Sequence, residues 1–238
     1  MHLLSQILEE ALILLRYIFF AAVLIIFASL PVYAEGSKSP GWVSSLKAAQ
    51  NSQQLAIVSG THGTNARFSL HEKDSSGVWH EVIHAPAYIG KNGWGKTREG
   101  DSKTPTGVYT FTEAFGINPD PGCPMGYVQV DDTHYWVGDS ESEKYNLFVS
   151  TRDYEDFSKP DSEHIIDYDL AYKYCLNISW NSERTPGKGS AIFLHCYTKN
   201  KFTGGCVSLP EDVMREVVMR VKTGCVVVMD TAKNIRRY

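Results

Sequence analysis

The sequence predicts a mainly β domain with one helix near its C-terminus. Short apolar or alternating runs bounded by Gly, Pro, Asn and Ser recur along most of the chain. Through residues 54 to 90 no 3.6-residue apolar period survives. Such a period does appear after Pro210, where Val213, Met214, Val217, Val218 and Val221 fall on one helical face.

In chain order, residues 1 to 34 read as a signal peptide or an N-terminal membrane anchor. An apolar run from Tyr17 to Leu30 ends at Pro31-Val32-Tyr33-Ala34, a small-residue site where cleavage after Ala34 is expected. The region before the run is long and carries Glu9 and Glu10. Counted as one span despite Arg16, residues 11 to 30 reach the ~20 residues that cross a bilayer, so membrane attachment stands beside cleavage. Both readings export the remainder, to a periplasm or to a cell wall and the extracellular space.

Residues 35 to 53, rich in Ser, Gly and small polar side chains, read as a linker, and the folded domain is expected over 54 to 238. Gln54 to Gly60, Ala66 to Asp74 and Val78 to Gly90 form a β-meander with polar turns, in which His62-Gly63-Thr64 is a turn rather than a site. Gly90 to Phe111 is a long glycine-laden loop followed by Thr104-Pro105-Thr106-Gly107, which makes a rigid turn, and a return to strand. Its polar load of Lys96, Arg98 and Asp101 suits the wall of a cleft. No phosphate-binding glycine motif is present.

Residues 115 to 160 hold short strands around YVQVDD, HYWVGD and YNLFVS, with Tyr135 and Trp136 either lining a cleft or filling a core. Cys175 to Trp180 and Cys225 to Asp230 are further strands. Pro210 opens the helix, Glu211 and Asp212 face its positive end, and Gly224 stops it.

Chemistry concentrates between Ile192 and Leu209. An apolar strand delivers His195, and eleven positions later Gly204 and Gly205 precede Cys206. An imidazole that takes the thiol proton makes a thiolate nucleophile near neutral pH. The two glycines let the backbone turn sharply and aim successive N–H groups at one spot, as a tetrahedral oxyanion requires. The plain alternative is packing, since free Cys is among the most buried residue types.

A formal charge of −4 leaves no basic footprint for nucleic acid and no polybasic membrane patch. Five cysteines leave at least one thiol unpaired, while Cys196 and Cys225 are either buried thiols or partners in a disulfide. No C-x-x-C and no tight His/Cys/Asp grouping calls for a metal, and no cofactor is expected.

The upstream GDSKTPTG, the strand ending at His195 and Thr203-Gly204-Gly205-Cys206-Val207, followed by a helix and a last strand, together resemble the L,D-transpeptidase catalytic domain (YkuD-type) family. That family's signature is a His followed by [S/T]-x-G-C. The resemblance covers about Gln54 to Asp230. It implies a β-sandwich-like domain of the bacterial envelope, acting as a monomer on peptidoglycan stem peptides and serving cell-wall biogenesis and cell shape. It makes Cys206 the nucleophile, His195 the base, the N–H groups of Gly205 and Cys206 the oxyanion donors, and Thr203 a support of the loop. The chain departs from the common form in a short His-to-Cys interval, in Gly204 where a His is frequent, and in Ser208 where a basic residue is frequent. A sortase-like transpeptidase using Arg215, or an inactive wall-binding module, are the alternatives.

Overall fold

The computed structural model describes residues 36 to 238, so the predicted signal or anchor segment lies outside the described residues. Strands β1 (Ser37–Lys38), β2 (Gln54–His62), β3 (Asn65–Lys73), β4 (Trp79–Tyr88) and β5 (Gly107–Gly116) come first. They are followed by β6 (Val128–Gln129), β7 (His134–Trp136), β8 (Phe148–Ser150), β9 (Glu163–His164) and β10 (Cys175–Ile178). The last are β11 (Phe193–Cys196), β12 (Val207–Leu209) and β13 (Val226–Thr231). Helix α1 (Gly41–Ser44) lies near the start and helix α2 (Glu211–Arg220) between β12 and β13.

The main sheet runs β4-β12-β11-β10-β5-β13-β2-β3, and β3 pairs back onto β4. The two faces of the expected sandwich are therefore walls of one sheet whose strands form a closed circuit. β4 serves both ends by pairing β3 along its length and β12 at Tyr88, and β1 adds to it near its start. The meander is as expected, and the β2–β3 turn contains Gly63 at φ +56°.

Side-chain alternation sorts each strand between two cores. Ala56 and Val58 of β2, Leu176 of β10 and Leu194 of β11 face inward. There they meet Met214, Val217 and Val218 of α2. The helix enters through Pro210, carries Glu211 and Asp212 in its first turn, and ends at Arg220. Gly224, at φ +89°, shapes the following turn into β13 and is not the residue at which the helix stops.

The outward side chains of β2 and β13 are also covered. Leu55, Ile57 and Val228 pack with Val43, Leu46 and Ala49. This corrects the linker reading of residues 35 to 53. Val43, Leu46 and Ala49 recur every three residues, so one turn of α1 and the 3₁₀ turn Lys47–Ala49 lay all three on the sheet. Buried on both faces, β2 reads as a continuous apolar run.

Over β5, β10 and β11 the outward cover is different. Residues 117 to 174 are inserted between β5 and β10 and carry the small sheet β8-β7-β9. Trp136, Ile165 and Tyr172 of this insertion pack on Phe115, Cys175 and Phe193. Trp136 is thus core, 1% exposed, with its indole N–H donated to Asn146 Oδ1 at 2.9 Å. All five cysteines are free thiols, which decides the open question about Cys196 and Cys225.

Candidate active site

His195 leaves β11 on the same outward face as Phe193 and lies opposite Cys175 in β10, so it points toward the insertion rather than into the sheet core. Cys206 sits just before β12, which runs parallel to β11 with Ser208 opposite His195. Ser208, at the place where a basic residue is frequent, is buried inside the sheet.

The loop that presents Cys206 is tied from both sides. The Thr203 N–H donates to Ile89 O at 3.0 Å, and Thr203 O accepts from the Lys91 N–H at 3.0 Å. Thr203 Oγ1 donates to Cys206 O at 2.6 Å and accepts the Gly205 N–H at 3.1 Å. From the other side, Thr104 Oγ1 accepts the Gly90 N–H at 2.8 Å and donates to Gly205 O at 2.7 Å. Gly205 has φ +150°, and a Cβ there would lie 2.9 Å from Lys103 O. Gly204 has no neighbour within 4 Å of a Cβ position, so that place accepts a side chain.

Within this loop Gly205 N–H is already engaged by Thr203. Serving an oxyanion requires it to share or release that bond.

Cys206 Sγ accepts the Phe193 N–H at 3.3 Å and donates to Ala191 O at 3.2 Å. Burial pushes its thiol up to about 12, the nearby Glu163 charge adds to that, and the Phe193 N–H pulls the other way. His195 Nδ1 lies 2.7 Å from Cys196 O. A carbonyl only accepts, so Nδ1 carries the proton and Nε2 is left with its lone pair. Burial lowers this imidazole to about 4, opposed by the carbonyl bond. Both shifts hold the pair neutral at pH 7, where the sequence pointed to a resting thiolate. The sequence reading lacked the burial that costs each charge its solvation.

One cavity of about 340 Å³ is lined by Cys206, His195, Thr203 and Gly204, so four of the expected site residues meet there. Lys96 also lines it and is buried in an ion pair with Asp101 at 3.1 Å. The Asp101 carboxylate further accepts the N–H groups of Thr97, Arg98 and Lys103, which folds the long glycine-laden loop into the cavity wall. Tyr172 and Glu163, from the insertion, complete it. The Tyr172 ring stands edge-on to His195 at 5.6 Å, and its hydroxyl donates to Glu163 Oε2 at 2.5 Å. Burial pushes the Glu163 carboxyl up to about 7, the Tyr172 hydroxyl opposes this, and Glu99 adds to it.

Sequence reasoning missed Thr104, Glu163 and Tyr172. Thr104 lay in the motif read as a turn, whereas nothing in the local pattern sets Glu163 or Tyr172 apart. Arg215, the residue a sortase-like reading needs, is on the exposed face of α2. Among the described residues no group of three or more His, Cys, Asp or Glu is arranged to hold a metal ion.

A family model, the L,D-transpeptidase catalytic domain (YkuD), matches residues 60 to 229. The chain belongs to that family. Its matched span takes in both sides of the cavity, from the glycine-laden loop to β13. Solved structures similar to this YkuD domain include the helical cell shape determining protein Pgp2 from Campylobacter jejuni. That pair shares 17% identity with a TM-score of 0.40, over 80% of this chain and 54% of Pgp2. L,D-transpeptidase from Mycobacterium smegmatis shares 12% identity, TM-score 0.35, over 76% of this chain and 59% of its own. L,D-transpeptidase 1 from Mycobacterium tuberculosis shares 14% identity, TM-score 0.35, over 75% and 59%. The chain thus spans under two thirds of each of these structures. No curated protein sequence matches it.

Proposed function

We propose that this YkuD domain is a cysteine-dependent L,D-transpeptidase that acts on peptidoglycan stem peptides outside the cytoplasm. The observation that carries the reading is the His195 tautomer. With Nδ1–H committed to Cys196 O, Nε2 is the basic nitrogen, on the wall of the cavity that Cys206 also lines.

Cys206 gives its proton to His195 Nε2 as its sulfur attacks the carbonyl that precedes a D-residue. The developing oxyanion takes hydrogen bonds from the N–H groups of Cys206 and Gly205. The C–N bond then breaks, the leaving amine takes the proton from His195, and a thioester remains on Cys206. An incoming amine attacks that thioester, the new amide departs, and the thiol recovers its proton through His195. Because the resting pair is neutral, proton transfer accompanies attack and no preformed thiolate is needed.

Export and attachment belong to residues 1 to 34, through cleavage after Ala34 or retention by residues 11 to 30. Acting outside the cytoplasm as a monomer, the enzyme serves wall cross-linking or remodelling and cell shape. The test is incubation of the full chain with a stem tetrapeptide and an amine acceptor. Release of the terminal D-amino acid with formation of a new amide is expected, and both disappear in Cys206→Ala. Turnover that persists in Cys206→Ala, or none in a folded wild type, overturns the reading.

A further inference from the structure

A second cavity, of about 490 Å³, adjoins the one that holds Cys206 and shares Glu99, Glu163, Ser190 and Ala191 with it. Both acids on this partition are held through Oε2 and leave Oε1 without a hydrogen-bond partner among the described residues. Glu99 is tied to the partition itself, where its Oε2 accepts from the Tyr145 hydroxyl at 3.1 Å, the Ser190 N–H at 2.9 Å and the Ser190 hydroxyl at 3.1 Å. Glu163 is the one whose charge is felt at Cys206 and whose Tyr172 partner stands against His195. Tyr172 fixes its Oε2, while its Oε1 is not a sealed, unsatisfied atom. The one Lys or Arg of the neighbouring wall, Lys96, is matched by Asp101, so no cation of the cavity linings is left to pair with the acids of the partition.

We propose that Glu163 is a specificity-determining residue, whose open oxygen receives a protonated amino group of the acyl acceptor arriving through the second cavity. This rests on the acyl-transfer reading above. A carboxylate clamped at one oxygen and open at the other is a preorganised acceptor for an ammonium, since Tyr172 has already fixed its rotamer. The ammonium must lose one proton before its nitrogen can attack, and that proton goes to the Glu163 carboxylate. The nitrogen then attacks the thioester carbonyl, the C–S bond breaks, and a second nitrogen proton passes through His195 to the Cys206 sulfur. Glu163 afterwards returns its proton to water.

The test reads how the acyl-enzyme of the full chain partitions between amines and water, a ratio in which the acylation rate cancels. Acyl-enzyme made from a stem tetrapeptide is offered butylamine, a cation at neutral pH, or hydroxylamine, a neutral nucleophile. In Glu163→Gln the butylamide-to-acid ratio is expected to fall at least about tenfold, the worth of one charge-assisted hydrogen bond. The hydroxamate-to-acid ratio stays within about twofold of wild type, since no charge is lost there. Both ratios falling together marks a merely structural residue and overturns the proposal, as does neither falling. If Glu163→Gln fails to fold, Glu163→Asp replaces it, with an intermediate fall in the butylamide ratio expected and no fall contradicting the proposal. A folded wild type that yields no acyl product sinks the acyl-transfer reading instead. Butylamine binding to Cys206→Ala, with and without Glu163→Gln, then still decides, and equal affinities overturn the proposal.

Discussion

Thr104 and Thr203 each satisfy two backbone groups in and around the loop that presents Cys206, so their hydroxyls set where Cys206 sits. Thr104→Val keeps the shape but leaves Gly90 N–H and Gly205 O without that partner. A loss of about 1–3 kcal/mol is expected in denaturant unfolding. At the thiol, the neutral resting pair makes a distinct prediction. With Cys206 pushed up to about 12, its iodoacetamide alkylation climbs about tenfold per pH unit from neutrality upward. A plateau in the acidic range would instead mark a resting thiolate–imidazolium pair. That a thiol, an imidazole and a glycine turn would meet was legible because thiol and imidazole chemistry is tied to residue type. Their charge state was not, because it depends on burial supplied by the insertion, far away in sequence.

At the scale of elements, the helix and the long strands were readable from period and alternation. The N-terminal cover was not. Its apolar residues, Val43, Leu46 and Ala49, are diluted by Ser, Gly and Lys, which is the composition of a linker. A clue existed in β2, whose unbroken apolar run requires cover on both faces. Leu46→Ala therefore costs about 2–5 kcal/mol of unfolding free energy, as for a packed core leucine, where a linker residue would cost nothing measurable. The site depends on the equivalent cover on the other side. The insertion packs Trp136 and Tyr172 on the outward face that holds Phe193 and His195, and by doing so helps bury the thiol. Its short strands were visible as apolar runs. Their pairing into a separate sheet over β5, β10 and β11 was not, because only long-range contacts specify it.

In the whole molecule, burial of titratable groups couples folding to pH. His71, held between the Ser39 and Ser69 hydroxyls, is lowered to about 4 by burial, as is His195. Both stay neutral in the fold while their unfolded counterparts bind protons below about 6.5. The unfolded state then carries more protons, so stability rises with pH across this window and is lost on acidification from about 6.5 toward 4. Glu163 acts in the opposite sense: its raised carboxyl weakens the fold as pH climbs from 4.5 to about 7. Replacing His71 with Gln is expected to flatten the acid side of a stability–pH curve measured by urea unfolding, and an unchanged slope would contradict the assignment. The closed circuit of strands has a related consequence. β3 meets β4 at one end of the order and β4 meets β12 at the other through Tyr88 and Ser208, so the long strand β3 is paired on both sides instead of lying at a bare edge.

The proposed chemistry requires that Cys206 become acylated with His195 Nε2 as its base. The most direct test is the intact mass of the full chain after incubation with a stem tetrapeptide, for wild type, Cys206→Ala and His195→Gln. A single acyl adduct is expected on wild type, with loss of the terminal D-residue, none on Cys206→Ala and a strongly slowed adduct on His195→Gln. An adduct that survives in Cys206→Ala, or a folded wild type that stays unmodified, would contradict that chemistry.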